Sequence, residues 1–234
     1  VWVALSMIGV STIAMTLFTS RPVGDAMATT IWGTSSSWTL TALPLFVWMG
    51  EILFRTKLSE NLFEGLSPWM QKLPGGLIHV NVVGCALFAA ISGSSAATVA
   101  TVGKMSIPEL RKRNYPEKIL LGSLAGSGTL GLLIPPSIIL IIYGVTVQES
   151  IAKLFVAGII PGIMIALIFM GYVIIWSLCN KKEMPSIINQ YSFIDKIKKS
   201  GQLIPVIILI LSVIGSIYTG IATATEAASL GVVG

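Results

Sequence analysis

The sequence predicts an all-α membrane protein in which transmembrane helices are combined with a re-entrant helical hairpin and a proline-interrupted helix. Apolar residues make up 54% of the 234 positions and charged residues only 11%, whereas soluble domains carry about 25% charged residues. The mean hydropathy is +0.86. Because such a chain cannot cover its surface with polar groups, lipid must be its main solvent. These features exclude a soluble enzyme, a nucleic-acid-binding protein and a disordered regulator.

Six uncharged runs indicate where the chain can cross the bilayer. A helix needs about 20 apolar residues to span the hydrocarbon core, and most of the runs are long enough. Within the second run, residues 29–38 are too polar for lipid and suit the interface, so the spanning part is expected nearer to 40–54. The runs are 1–20, 26–50, 73–103, 119–148, 154–180 and 200–225.

Two basic loops give the predicted orientation. Residues 111–118 carry four basic side chains and residues 181–199 carry five. The positive-inside rule places both loops in the cytoplasm. The runs 119–148 and 154–180 then cross outward and back, with an external turn near Glu149.

The run 73–103 predicts a re-entrant hairpin. Its 31 residues would form a straight helix of roughly 46 Å, which is too long for one untilted crossing. Its middle, residues 91–95, is a small polar cluster that helices disfavour. The preceding amphipathic segment 55–72 carries several basic residues, and if it is cytoplasmic the run must enter and leave on the same side. A single tilted helix is the alternative.

The run 119–148 contains a second interruption. Three glycines lead into Leu-Leu-Ile-Pro-Pro-Ser at 132–137, where two adjacent prolines remove two backbone donors and clash with the preceding turn. Unwound backbone at membrane depth is tolerated only when it is buried in protein or lines a cavity. The alternative is a simple proline kink.

Together the two interruptions offer neutral oxygen atoms and no titratable base. Hydroxyls and backbone carbonyls suit a small hard cation such as sodium, and opposed helix ends add partial charges for a cation and a carboxylate. The alternative is that the serines only permit close helix packing. The candidate oxygens are the hydroxyls of Ser92, Ser94, Ser95, Thr98, Thr129 and Ser137 and the carbonyls of residues 131–136.

Sequence motifs at and around both interruptions point to a family. The central motifs are Ala-Ala-Ile-Ser-Gly-Ser-Ser-Ala-Ala-Thr at 89–98 and Gly-Thr-Leu-Gly-Leu-Leu-Ile-Pro-Pro-Ser at 128–137. Further motifs are Leu-Pro-Leu-Phe at 43–46, Met-Gly-Glu-Ile-Leu at 49–53, Leu-Pro-Gly-Gly at 73–76, Ile-Pro-Glu-Leu at 107–110, Ala-Gly-Ile-Ile-Pro-Gly at 157–162 and Gly-Ile-Ala-Thr-Ala-Thr-Glu-Ala-Ala at 220–228. In this order they resemble the large membrane (M) subunit of tripartite ATP-independent periplasmic (TRAP) transporters.

The resemblance implies a sodium-driven, elevator-type importer of a small organic acid, such as a C4-dicarboxylate or sialic acid, in the bacterial inner membrane. It implies two protein partners, a small membrane (Q) subunit and a periplasmic substrate-binding (P) protein. The only cofactor implied is Na⁺, the coupling ion. The matching sodium ligands are Ser92, Ser94, Gly131, Ile134 and Pro136, and the substrate-facing residues are Ser95, Thr98 and Ser137. The family usually has proline where Ala224 stands.

The resemblance also divides the chain. The family fold is an inverted repeat, and we expect only the first repeat here, in a chain truncated at both ends. The predicted parts are scaffold-type transmembrane and interfacial helices in 1–72, a transport-type unit in 73–148 (hairpin 73–107, basic loop 108–118, broken helix 119–148), and further transmembrane helices in 149–234 with a cytoplasmic linker at 180–201.

Two other functions are compatible with parts of the sequence. A related sodium/carboxylate carrier would work without a binding protein. An intramembrane serine protease would need a base beside its nucleophile, but His79, the only histidine, lies fifteen residues before Ser94 on the same limb. We therefore expect a transporter and not an enzyme.

Several other residues have structural interpretations. Glu51 and Arg55 are spaced as an i,i+4 ion pair. Thr223 and Glu226 have the spacing of a helix capping box. Cys85 and Cys179 both lie in apolar runs and are interpreted as buried thiols.

Overall fold

The computed structural model describes residues 2–56, 58–185 and 191–233, and these residues form helices and turns without any strand. The all-α prediction is therefore confirmed for the described part of the chain. The chain divides into two compact units, Val1–Leu40 and Thr41–Gly234.

The first unit contains two helices, α1 (Trp2–Phe18) and α2 (Val23–Ser35). The hydroxyl-rich stretch predicted to be an interfacial segment is largely helical, since α2 continues to Ser35. Thr29 shows why: its hydroxyl donates to the carbonyl of Asp25 at 2.8 Å, so the polar side chain is satisfied within the helix.

The second unit holds ten further α-helices among its described residues. Short 3-10 turns occur at Trp38–Thr41, Thr129–Leu132, Lys181–Glu183 and Gly201–Leu203. The α-helices are α3 (Ala42–Arg55), α4 (Leu58–Met70), α5 (Ile78–Ser92), α6 (Ser95–Lys112), α7 (Glu117–Gly128), α8 (Ile138–Val147), α9 (Ile151–Cys179), α10 (Phe193–Ser200), α11 (Ile204–Tyr218) and α12 (Ala224–Val233).

Two of the described helical segments are long and apolar enough to cross a bilayer alone, α9 and the continuous segment Phe193–Tyr218. With 29 residues, α9 extends for about 43 Å. Twelve of its residues are exposed and only six are buried, as expected for a helix that largely faces lipid. Cys179, the last residue of α9, is also exposed, so the prediction of a buried thiol is wrong for this cysteine and confirmed for Cys85.

The centre of the second unit is α5. Twelve of its fifteen residues are buried, because α5 is surrounded by α3, α4, α6, α7 and α9. A helix buried on all sides needs no polar face, which explains its nearly uniform apolar sequence. Its buried amide side chain, Asn81, donates to the Leu120 carbonyl at 3.3 Å and to the Ser123 hydroxyl at 3.0 Å, joining α5 to α7.

The predicted basic loop 108–118 is shorter than expected. Helix α6 continues through Pro108 to Lys112, and α7 begins at Glu117. The proline removes one backbone hydrogen bond, but Leu110 beyond it is fully buried, and this packing holds the last turn in place. The remaining loop is attached to the hairpin because the Leu77 N–H donates to the Tyr115 hydroxyl at 3.1 Å.

The predicted cytoplasmic linker 180–201 contains a 3-10 turn and α10, while its residues 186–190 lie outside the described part of the chain. Helix α10 is fixed to α4 by one side chain, Trp69. The Trp69 indole N–H donates to the Ser200 hydroxyl at 2.8 Å, and the Lys196 ammonium lies 5.3 Å from the centre of the indole ring.

The two local pairings predicted from spacing are confirmed. The Arg55 Nε and a Glu51 carboxylate oxygen are 2.8 Å apart. The Thr223 N–H donates to the Glu226 carboxylate at 2.8 Å, and the Glu226 N–H donates to the Thr223 hydroxyl at 3.4 Å, forming the reciprocal capping box at the start of α12.

Candidate ion and substrate site

The first interruption is the tight connection between α5 and α6, here called the hairpin tip (residues 92–95). Gly93 ends α5 in the left-handed conformation with φ 60°, which favours glycine. Ser94 is extended and caps α6, accepting a hydrogen bond from the Ala97 N–H at 3.4 Å. The two helices then run side by side, and a Cβ on Gly84 of α5 would lie 3.7 Å from Val102 of α6. The run is therefore two helices packed side by side and not one continuous tilted helix.

The hydroxyls of the hairpin tip have different surroundings. Ser92 and Thr98 are fully buried, and their hydroxyl oxygens are 3.0 Å apart, so a hydrogen bond joins the two limbs. The Ser95 hydroxyl is also inaccessible, yet it has no hydrogen-bond partner among the described residues. A buried polar atom without a hydrogen-bond partner costs free energy unless a ligand or a water molecule bonds to it. Ser95 is therefore the hydroxyl best placed to bind a ligand.

The second interruption, here called the proline break (residues 133–137), separates the 3-10 turn after α7 from α8. Pro135 and Pro136 have no N–H, so the carbonyls of Gly131 and Leu132 lose the donors that a continuous helix would supply. The Ser137 hydroxyl replaces one of them, donating to the Leu132 carbonyl at 2.7 Å. Among the described residues, no side chain or loop N–H donates to the Gly131 carbonyl in its place, so this oxygen could bind another partner such as a cation.

The hairpin tip and the proline break are in direct contact. The Ile138 N–H donates to the Gly93 carbonyl at 3.3 Å. A Cβ on Gly93 would lie 2.6 Å from the Pro136 carbonyl oxygen, and a Cβ on Gly131 would lie 2.9 Å from the Ser95 nitrogen. Because real Cβ atoms do not approach backbone atoms this closely, both positions require glycine for the contact to form.

Helix ends of both polarities converge at this contact. Ser94 and Ser137 are extended N-caps with nearly equal φ angles, −125° and −122°, and they place the N-termini of α6 and α8 beside the C-terminus of α5. N-terminal helix ends favour an anion and C-terminal ends favour a cation. The site therefore offers partial charges of both signs without an ionised side chain at residues 92–98 or 131–137.

The predicted site residues lie together, except that the side chain of Ile134 points away from the site. Ser92, Ser94 and Ser95 form the hairpin tip, and Gly131, Pro136 and Ser137 lie against it. The Ile134 side chain points instead toward α9, where a Cβ on Gly162 would lie 2.8 Å from Ile134 Cγ1, so only its backbone remains for a ligand role. No cluster of three metal-binding His, Cys, Asp or Glu side chains occurs among the described residues.

Three further glycines allow helices to approach this site closely, a role that was not predicted from the sequence. A Cβ on Gly50 of α3 would lie 3.0 Å from the Ser92 Cβ, so α3 approaches the end of α5 closely. The proline break packs against Gly158 and Gly162 of α9. A Cβ on Gly158 would lie 2.7 Å from the Leu133 carbonyl oxygen. The i,i+4 spacing of these two glycines in an apolar helix was the signal for close approach.

The geometry does not suit a serine nucleophile. His79 lies at the opposite end of α5 from Ser92, roughly 20 Å away at 1.5 Å per residue. Its Nε2 is 2.8 Å from the Pro74 carbonyl oxygen, and its side chain is fully buried. The histidine therefore packs the base of the hairpin.

The chain is similar in sequence to known transporter proteins. The family model described as "Tripartite ATP-independent periplasmic transporter, DctM component" matches residues 1–234. The chain belongs to the DctM family. This membership, together with the apolar helices, places the DctM chain in the bacterial inner membrane, as the resemblance implied.

Several relatives of this DctM chain are curated transporter permeases. The C4-dicarboxylate TRAP transporter large permease DctM of Pseudomonas aeruginosa is 34% identical over 208 residues, which cover 89% of this chain and 48% of the relative. The sialic acid TRAP transporter large permease SiaM of Vibrio cholerae is 35% identical, covering 85% and 46%. The isethionate TRAP transporter permease DctMQ of Oleidesulfovibrio alaskensis is 35% identical, covering 90% and 33%. The chain thus spans half or less of the length of these relatives.

Proposed function

We propose that this DctM chain forms part of the large permease of a sodium-coupled TRAP importer for a small organic acid, working with a small membrane subunit and a periplasmic binding protein. The contact between the hairpin tip and the proline break carries this proposal, because it brings two interrupted helices together inside an apolar protein. The names of the relatives, which include C4-dicarboxylate, sialic acid and isethionate permeases, support an organic acid as the transported molecule. The fused DctMQ relative supports a small membrane subunit as a partner.

The proposed sodium site lies where the hairpin tip meets the proline break. Ser92 and Ser94 supply oxygens from the tip, and the backbones of Gly131, Ile134 and Pro136 supply carbonyls from the break. Such neutral oxygens replace the hydration shell of an alkali ion without the desolvation cost of a buried carboxylate. The Ser92–Thr98 hydrogen bond supports the site by holding the Ser92 hydroxyl in one orientation.

The proposed substrate position lies beside the sodium site, at the N-termini of α6 and α8. Of the three candidate substrate-facing residues, Thr98 already bonds to Ser92 and Ser137 to the Leu132 carbonyl. Ser95 has an unpartnered hydroxyl at the first turn of α6. A carboxylate placed there would accept that hydroxyl and gain from the positive helix ends. Ser95 is therefore the principal substrate contact in this half of the site.

The proposed transport movement is of elevator type, with the hairpin re-entrant from the cytoplasmic side. The proposed moving unit is 73–148, within which α5 packs against α6, α7 and the following 3-10 turn, and the contacts of α5 with α3, α4 and α9 are the ones that would have to change. Sodium can drive the movement only by binding one conformation more tightly than the other. Closure of the hairpin tip on the proline break supplies that difference.

The test is sodium-dependent uptake by the full-length permease, reconstituted with its membrane and periplasmic partners in proteoliposomes. Radiolabelled succinate and N-acetylneuraminate serve as probes. We expect Ser92→Ala and Ser94→Ala to raise the sodium concentration for half-maximal uptake at least several-fold, since each removes one candidate oxygen. Ser229→Ala is the matched control, because its hydroxyl only bonds to the Thr225 carbonyl within α12.

Two results would count against this proposal. Unchanged sodium dependence in both tip variants, with correct membrane insertion, would remove the site assignment. Sodium-driven uptake that continues at full rate without the binding protein would favour the alternative carrier that works alone.

A further inference from the structure

A cavity of about 550 Å³ lies at the base of the hairpin, away from the tip. One wall is the second half of α6, including Lys104 and Met105, and the other walls come from the end of α3, from α4, from Lys199 near the end of α10 and from Tyr191 before it. Lys104 is nine residues after Ser95, so the cavity begins about 13 Å from the tip along α6. It therefore lies at the end of the hairpin that carries the predicted cytoplasmic loops.

A second, shallower groove of about 420 Å³ follows α6 from Val99 to Pro108. It shares Lys104 and Pro108 with the larger cavity. Val99 is only one helical turn from Ser95. The groove therefore runs along α6 from near the proposed substrate position toward the cavity, and Lys104 lines both spaces.

The charges lining the cavity are four cations and three carboxylates, and they are not matched in pairs. Arg55 is paired with Glu51, which does not line the cavity, and Arg113 lies 3.6 Å from Glu109. Glu64 accepts a hydrogen bond from Gln202 at 3.2 Å, and Glu60 lies in the first turn of α4. The remaining cations are Lys104 and Lys199.

Both lysines rest on aromatic rings rather than on carboxylates. The Lys104 ammonium lies 4.9 Å from the centre of the Phe54 ring, and the Lys199 ammonium lies 4.8 Å from the centre of the Tyr191 ring. A cation–π contact positions an ammonium group but does not neutralise its charge. Each lysine is therefore held at the cavity wall without a carboxylate in ion-pair contact among the described residues, although Glu60 and Glu64 line the same cavity.

We propose that this cavity binds an oxyanion through the ammonium groups of Lys104 and Lys199. The oxyanion is the carboxylate of an organic acid that leaves the site along α6, or the phosphate of an anionic lipid. Only the first source rests on the proposed transport function. A site of this kind would hold the acid transiently at the cytoplasmic end of its route.

The experiment measures charge selectivity inside the cavity and needs no transport. Met105→Cys places a thiol in the lining of the full-length permease, in a background in which the exposed Cys179 and any exposed cysteine beyond this chain are serine. The protein is placed in phosphatidylcholine nanodiscs. The reaction rates of an anionic sulfonatoethyl and a cationic trimethylammonioethyl methanethiosulfonate are then compared. Thr56→Cys gives a second reporter at the cavity wall.

We expect the anionic-to-cationic rate ratio, divided by the same ratio for a free small thiol, to exceed one, with a contribution of about sevenfold from each ammonium group roughly 7 Å away in a water-like dielectric, because the charge attracts one reagent and repels the other. Lys104→Gln should lower this normalised ratio about sevenfold, and Lys104→Arg should preserve it. Lys118→Gln, which removes the same charge outside the cavity, is the matched control and should leave the ratio unchanged.

Competition distinguishes the two sources of the oxyanion. Slowing of the anionic reagent by succinate, relative to chloride at equal ionic strength, identifies a carboxylate site. Slowing when phosphatidylglycerol is added to the nanodisc identifies a lipid phosphate. A normalised ratio no greater than one, an unchanged ratio in Lys104→Gln, or no slowing in either competition overturns the proposal. A failure of sodium-driven uptake would leave these measurements unaffected.

Discussion

Replacement of Gly131 by alanine tests the contact between the hairpin tip and the proline break directly. The added Cβ would lie 2.9 Å from the Ser95 nitrogen, 3.0 Å from the Ser95 Cα and 3.1 Å from the Ser94 carbonyl carbon. All three neighbours are backbone atoms, so no side chain can rotate away to make room. The tip and the break must therefore separate.

The size of the effect follows from these distances. Ordinary van der Waals contact begins at 3.4 Å, so the two backbones must move apart by about 0.5 Å. Overpacking of this kind costs about 1–3 kcal/mol. If sodium binding requires the closed contact, the same free energy raises the sodium concentration for half-maximal uptake by about five- to 150-fold, at 1.4 kcal/mol for each factor of ten.

The assay is succinate or N-acetylneuraminate uptake by the reconstituted full-length permease at a series of external sodium concentrations, together with the thermal unfolding midpoint in detergent. Gly122→Ala is the matched control, since a Cβ there meets no atom within 4 Å. Alanine at that helical position should leave sodium dependence unchanged and stabilise the protein by up to about 1 kcal/mol. If Gly131→Ala behaves like Gly122→Ala in both measurements, the close contact and the site built on it are refuted.

Three further substitutions give distinct expected outcomes. Thr98→Val should raise the half-maximal sodium concentration several-fold, because it leaves the Ser92 hydroxyl without its buried partner. Tyr115→Phe should cost about 1–3 kcal/mol of stability, because a part-buried backbone N–H loses its acceptor. Burial raises the pKa of the Tyr115 phenol in the folded state, although the hydrogen bond to the Leu77 backbone and the nearby Arg113 both lower it. The stability that Tyr115 contributes relative to phenylalanine should therefore decrease as the pH rises above 10. Gly158→Ala should lower the unfolding midpoint, because its Cβ would meet a backbone carbonyl at 2.7 Å.

Each of these variants has a control within the same chain. Thr101→Val removes a buried hydroxyl that bonds only to the carbonyl of Ala97 in its own helix, and it should leave sodium dependence unchanged. Tyr143→Phe alters an exposed phenol, and Gly171→Ala adds a Cβ where nothing lies within 4 Å. Equal effects in a variant and its control would contradict the contact concerned.

The positions of both interruptions could be predicted from local sequence. Adjacent prolines withdraw two backbone donors wherever they stand, and a Ser-Gly-Ser-Ser cluster disfavours a continuous helix in any surroundings. The helix boundaries were predicted less well. Helix α6 extends through Pro108, where a loop was predicted, because Leu110 is buried. This outcome depends on packing that hydropathy does not register.

The sequence alone determined that this chain is an all-helical membrane protein and that it belongs to its family. It also determined the two points where the helices break. These properties follow from composition and from residues adjacent along the chain. Only the tertiary structure decided which atoms meet at the breaks: the Gly93 carbonyl with the Ile138 N–H, and the Gly131 backbone with Ser95. The physical reason is that such contacts join segments about forty residues apart. Their distances depend on how the surrounding helices pack, including the glycines of α3 and α9 that permit the close approach.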